Sequence, residues 1–341
     1  MASIPLDELL RSNYGTAVSF DSVSRFENAG FSGAEIYRIQ TGTGPFCLRR
    51  WPTGTMTAER LSEIHDVLDF LFQGGLKVVP VPIRAVSGRT FVEKNQTLWQ
   101  LEPWMPGEAT YHLHPSAEKL TSAMSTLARV HQLAEASCRS PGRVSTSLCT
   151  PRTIGERIQI LIDTRSDFDQ IHRAMLDDRD SRFRAVAQRI ATHFEQSSRR
   201  VEAALRTASR LRVPVFPCLR DIRHDHLLFS EETLTGLVDF GALRVDTVAA
   251  DLSRIAGSLF QSHWRDDPTH WNAALASYES VRPITDSERQ LIPILDESGV
   301  LLSGTHWLRT RYVRRSSLNL PRICERLESI ACRIEAGSRQ N

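Results

Sequence analysis

The chain has 341 residues, 41% of them hydrophobic and 24% charged, with a formal net charge of +2. That is globular composition with room for about two domains or lobes, and the near-balance of charge argues against nucleic acid or an anionic membrane as a partner. The six cysteines are scattered without a CxxC pair or zinc spacing, no apolar run is long enough to span a membrane, and the acidic N-terminal stretch is no signal peptide, so a cytoplasmic location is expected.

The front of the chain reads as short strands around one helix. Residues 31–41 alternate weakly and 44–51 are strand-like. Residues 57–72 place Leu61, Ile64, Leu68 and Leu71 at helical spacing, with Thr57 as cap and Glu59 in the first turn. Residues 78–86, 89–95 and 97–104 read as further short β segments. After Met105-Pro-Gly-Glu the texture becomes helical, over 116–136 and most of 154–208. A compact β interlude occupies 214–243, helices resume at Val248, and Thr285 with Glu288 forms a capping box. The expected architecture is α+β in two lobes, a β-rich 1–104 and a mostly helical 105–341.

The interlude Cys218-Leu-Arg-Asp-Ile-Arg-His-Asp-His-Leu-Leu-Phe-Ser-Glu-Glu-Thr-Leu-Thr-Gly-Leu-Val-Asp-Phe-Gly carries the chemistry. His226–Phe229 and Leu234–Phe240 are apolar segments flanking a polar turn, which predicts a hairpin. The hairpin is expected to bring Asp221, before it, near Asp239 at its far end, beside His226. Two carboxylates and an imidazole suit a divalent cation and proton transfer, and Gly241 would let the backbone turn after the ligand.

This spacing resembles the aminoglycoside phosphotransferase and choline kinase-like family, with its protein-kinase-like fold. There a catalytic Asp is followed at +5 by a metal-binding Asn, and a second metal-binding Asp comes about a dozen residues later. Asp221 is followed at +5 by His226, and Asp239 comes thirteen residues after that. Leu219-Arg220-Asp221 looks like the kinase His-Arg-Asp, and Asp251 looks like the structural Asp of the following helix. No Ala-Pro-Glu-like segment follows Asp-Phe-Gly, which separates the chain from protein kinases.

The resemblance implies transfer of the ATP γ-phosphoryl group to the hydroxyl of a small-molecule acceptor. Asp221 would be the base, and His226 and Asp239 would hold Mg²⁺ or Mn²⁺. Asn28–Gly33, with Gly30 and Gly33, is either a loop over the phosphates or a plain hairpin turn. Arg49 falls where the family has its phosphate-gripping lysine, and either Glu59 or Glu63 would be its helix partner. Glu102-Pro-Trp104 resembles the hinge whose backbone meets adenine. His226 in place of Asn and Arg49 in place of Lys leave a second reading open, a pseudokinase that binds nucleotide without transfer. His131 is expected in the core. Trp264, Trp271 and Trp307 either line an acceptor pocket or pack in the core.

Overall fold

The computed structural model describes residues 6–15, 20–26, 33–138, 147–259, 268–316 and 318–338. In chain order the elements begin α1 (Leu6–Tyr14), β1 (Phe20–Arg25), β2 (Glu35–Thr41), β3 (Gly44–Arg50), α2 (Ala58–Gln73), β4 (Val92–Lys94), β5 (Thr97–Pro103), α3 (Ala117–Ser137) and β6 (Ser147–Cys149). Then come α4 (Arg152–Ser166), α5 (Phe168–Leu176), α6 (Ser181–Ala208), β7 (Val213–Cys218), β8 (Leu227–Ser230) and β9 (Thr233–Leu237). The last are β10 (Arg244–Asp246), α7 (Val248–Leu259), α8 (Pro268–Glu279), α9 (Asp286–Leu308) and α10 (Leu320–Ser338). No helix among the described residues is long and apolar enough to cross a membrane.

Contacts divide the chain into two compact units, Met1–Ala123 with Asp225–Gly241, and Met124–His224 with Ala242–Asn341. The first holds an antiparallel sheet of order β1-β2-β3-β5-β4. Strand period sorts its side chains. Leu48, Trp99 and Leu101 join Leu9, Leu10 and Tyr14 of α1 in one cluster, while Leu98 packs with Trp51, Leu61 of α2 and Phe91. Thr57 caps α2 as expected, its hydroxyl accepting the Arg60 N–H at 3.2 Å.

Two readings of this unit need correction. Residues 78–86 form no strand, because Pro80 and Pro82 remove ladder donors. Their backbone instead contributes isolated bonds such as Ile83 N–H to the Leu101 carbonyl at 2.7 Å. Helix α1 was not expected at all. Its nine residues rest on the burial of Leu9, Leu10 and Tyr14 against the sheet rather than on a long periodic signal.

The predicted hairpin is present as β8 and β9, antiparallel and in this first unit. It is pinned by Glu108 and Phe229, which exchange backbone bonds of 3.0 and 2.8 Å.

The second unit is helical. Its core joins α5, α6, α9 and α10 through Ile171, Phe183, Ile190, Leu308 and Leu327, among others. A three-stranded sheet of order β10-β7-β6 lies in the same unit. Helix α9 opens with the capping box read from the sequence, Thr285 with Glu288.

Candidate active site

In the first unit, β3 and β5 pair so that Arg49 lies opposite Gln100 and Cys47 opposite Glu102. Alternation puts Arg49, Gln100 and Glu102 on the face toward α2, with Glu102 diagonal to Arg49. The Arg49 Nε is 3.9 Å from Glu102 Oε1, and Nη1 donates to Asp239 Oδ1 at 3.3 Å. Gln100 Nε2 donates to Glu102 Oε2 at 2.6 Å, and Trp51 Nε1 donates to Gln100 Oε1 at 2.8 Å. His65 of α2 closes the set, with Nδ1 at 2.7 Å from the Thr90 hydroxyl and Nε2 at 3.4 Å from Gln100 Oε1.

Burial opposes the Arg49 charge, but Glu102 and Asp239 outweigh it and hold its pKa above the usual value. Burial likewise pushes the Glu102 carboxyl up, against the pull of Arg49 and Gln100. His65 is pushed down to about 4 by burial, so its ring is neutral near pH 7.

Asp239 divides its two oxygens. Oδ1 meets Arg49, and Oδ2 lies 3.7 Å from His226 Nε2, which is also 3.9 Å from Asp225 Oδ1. His226 Nδ1 is buried without a hydrogen-bond partner. Asp239 has φ of 67°, a left-handed conformation a non-glycine residue adopts at a cost on the order of 1 kcal/mol. The sharp turn expected at Gly241 thus falls at Asp239 itself. Gly241 serves close approach instead, since a Cβ there would stand 2.8 Å from Trp51 Cη2.

The second unit holds Asp221. Asp251, buried in the first turn of α7, accepts the Leu219 N–H at 2.7 Å and the Arg220 N–H at 2.5 Å. His131 Nε2 meets Asp251 Oδ2 at 2.9 Å, and the Tyr278 hydroxyl meets Nδ1 at 2.8 Å. A carboxylate oxygen only accepts, so Nε2 donates and Nδ1 takes the tyrosine proton. His131 is therefore in the core as expected, but as a hydrogen-bonded brace. Cys218 lies close enough to complete a three-ligand group with His131 and Asp251, but the imidazole and carboxylate are already committed to these bonds.

Arg220 is left-handed at φ of 66°, with Nε 3.0 Å from Asp246 Oδ2 and Nη2 on Glu156. Burial pushes the Asp246 carboxyl up to about 6. Asp221 is clasped by Arg254 of α7, whose Nε and Nη2 both donate to Oδ1, at 3.1 and 2.5 Å.

Gly30 lies outside the described residues, while Gly33 has φ of 73°, which favours glycine. Trp104 donates its N–H to the Pro45 carbonyl at 3.1 Å, and its ring meets Phe26 edge-on and the Arg38 guanidinium at 5.0 Å. Neither Glu59 nor Glu63 pairs with Arg49, because both are exposed on α2 and Glu63 pairs with Arg60. The carboxylate comes from Glu102, one strand over. Trp307 belongs to the helical core, Trp271 is half-buried, and Trp264 lies outside the described residues. Sequence reasoning missed His65, Gln100 and Arg254. Only Arg254 left a signal, a charge three residues after Asp251 on a helix whose other early positions are buried.

A family model described as the phosphotransferase enzyme family matches residues 25–290. A homoserine kinase of Gluconacetobacter diazotrophicus is 32% identical over 92 residues, and the match spans 27% of this chain and 27% of that protein. A solved spectinomycin phosphotransferase, in complex with ADP and spectinomycin, is similar at a TM-score of 0.65 and 16% identity, covering 97% of this chain and 93% of that one. A solved amicoumacin kinase, in complex with AMP-PNP, Ca²⁺ and Ami, is similar at a TM-score of 0.64 and 12% identity, covering 96% of this chain and 92% of that one. At such identities these two likenesses show a common fold, the α+β kinase-like fold expected from the motifs. The family match runs from the end of β1 into α9, through both clusters, and the chain belongs to the phosphotransferase enzyme family.

Proposed function

We infer that the protein transfers the γ-phosphoryl group of ATP to the hydroxyl of a small-molecule acceptor, with a divalent cation. The observation that carries this reading is the divided carboxylate of Asp239, which has a cationic Arg49 on one oxygen and His226 facing the other. A phosphate-binding cation and a metal-binding pair sharing one aspartate are what an anionic nucleotide–metal complex requires. The spectinomycin and amicoumacin kinases were solved with adenine nucleotides, which supports ATP as donor.

The residues present fit a divalent cation. Asp239 and His226 would hold it, with Asp225 beside them, and the unpaired buried Nδ1 of His226 leaves that ring without a competing protein partner. When bound, the cation neutralises phosphate charge. Arg49 would steady the phosphates through its fork of donors. Gly33 would lie in the loop that covers them, and the Glu102–Trp104 segment would meet adenine. Asp221 would accept the acceptor's hydroxyl proton, with Asp251 holding the loop and Arg254 fixing the carboxylate plane. Calorimetric titration with ATP tests the nucleotide half. Binding with Mg²⁺ that disappears in EDTA is expected, and equal affinity in both would count against it.

A further inference from the structure

Arg254 clasps Asp221 in the second unit, and the way this arginine is paired bears on the acceptor. Arg254 directs Nε and one Nη2 hydrogen to a single oxygen, Oδ1. Its Nη1 makes only a long contact, 3.5 Å, to the Ser303 hydroxyl. One edge of the guanidinium therefore remains largely unsatisfied, on a side chain that is 30% exposed. Asp221 is 45% exposed, and Arg254 takes only its Oδ1, leaving Oδ2 for a hydroxyl proton.

The carboxylates nearby are already claimed by arginines. Asp221 is held by Arg254, Glu156 and Asp246 by Arg220, and Asp296 by Arg333. Arg157, half-buried, has no carboxylate at ion-pair distance among the described residues. It donates instead to the Leu295 carbonyl and, at 2.7 Å, to the Ser298 hydroxyl. Its pKa is pushed down to about 10, by burial first and then by the charge of Arg254, so the two guanidinium groups feel one another. A compound of net positive charge arriving here would meet arginines, and the four carboxylates named above are already claimed. An oxyanion would meet the unsatisfied edge of Arg254, in a geometry that guanidinium recognises in two-pronged fashion.

We propose that the acceptor is a small hydroxyl compound bearing a carboxylate, such as a hydroxy acid or hydroxy amino acid, anchored by Arg254 beside Asp221. The proposal rests on the phosphotransfer reading for the fate of the hydroxyl, but the anion site itself does not require turnover. Polycationic aminoglycosides and choline-like amines are disfavoured by the same charges.

Binding and turnover are measured separately. Calorimetry on the full chain with Mg-ADP present compares short hydroxy acids, 4-hydroxybutanoate and L-homoserine among them, with the corresponding amides. Turnover with Mg-ATP is measured for the same compounds and for choline and kanamycin. The acids should bind about 10-fold or more tightly than the amides, the scale of one charge-assisted hydrogen-bond pair. Arg254→Gln should erase that preference, while Arg254→Lys, which keeps the charge and guards against a folding artefact, should retain part of it. Equal binding of acids and amides, no binding of either, or a preference that survives Arg254→Gln overturns the proposal. So does turnover of choline or kanamycin at rates matching the acids. Acids that bind through Arg254 while none of the compounds is phosphorylated would keep the anion site but overturn the acceptor assignment and count against the phosphotransfer reading.

Discussion

Arg49 of β3 and Glu102 of β5 lie one diagonal step apart on the same face of the sheet, both buried, with Nε and Oε1 separated by 3.9 Å. The carboxylate that steadies this arginine thus comes from the adjacent strand and not from helix α2. Ladder hydrogen bonds fix both partners, so the position of Arg49 is set by the sheet. Glu102→Gln would leave a buried guanidinium with Asp239, at 3.3 Å, as its one remaining carboxylate. A loss of about 3 kcal/mol in unfolding free energy is expected, the scale of breaking one half of a buried pair. Chemical denaturation checks this, and Glu59→Gln and Glu63→Gln, on exposed positions, should each stay within about 0.5 kcal/mol of the parent.

His65 gives the first unit an acid-sensitive element. Its folded pKa of about 4 lies below the ordinary 6.5, so the fold favours the neutral ring. That contribution is complete above about pH 6.5 and lost as pH falls toward 4. Between neutrality and pH 5 the loss should be about 2 kcal/mol. His65→Gln cannot titrate, so the difference in stability between parent and variant should shrink as pH is lowered. Asp246, raised to about 6, acts with the opposite sign, but it is common to both proteins and cancels in the difference.

Asp251→Asn tests the brace beneath Asp221. The carboxylate accepts two backbone N–H groups and the His131 ring, and an amide nitrogen in place of one oxygen would face donors. Destabilisation of about 2–4 kcal/mol is expected. Activity should fall further than the folded fraction does, because Arg220 and Asp221 lose their anchor. Denaturation curves and turnover on the same preparation separate the two effects.

The metal preference should reflect His226. Imidazole is a better match for later first-row ions than for Mg²⁺, which favours oxygen. Direct ligation predicts tighter ATP binding with Mn²⁺ than with Mg²⁺, and His226→Asn should narrow that difference. If Asp225 supplies the oxygen and His226 is a spacer, Asp225→Ala becomes the more damaging change and the metal ratio stays put. Calorimetry with each ion distinguishes the two.

Much of this was legible in the sequence because it is local. The cap at Thr57, the capping box at Thr285 and the β8–β9 hairpin are all set by neighbours within a few residues. The meeting of His226 and Asp239 was likewise readable, since they flank the open end of that hairpin. The proline-interrupted stretch 78–86 misled because its apolar alternation imitates a strand that its missing N–H groups cannot complete. The choice of Glu102 over Glu59 or Glu63 depends on strand register, and the clasp of Arg254 on Asp221 joins residues 33 positions apart. The register leaves no local pattern, and the clasp leaves only the charge of Arg254 among the buried early positions of α7.

Phosphoryl transfer with Asp221 as base is tested by γ-labelled ATP with a hydroxy-acid acceptor. The measurement follows label reaching the acceptor in wild type and in Asp221→Asn, with ATP affinity measured alongside. Label on the acceptor oxygen is expected in the wild type. In the variant, turnover should be slower by a factor on the order of 10²–10⁴, with ATP affinity nearly unchanged. Wild-type protein that binds Mg-ATP yet labels no acceptor, or an Asp221→Asn variant that transfers at the parental rate, would contradict it.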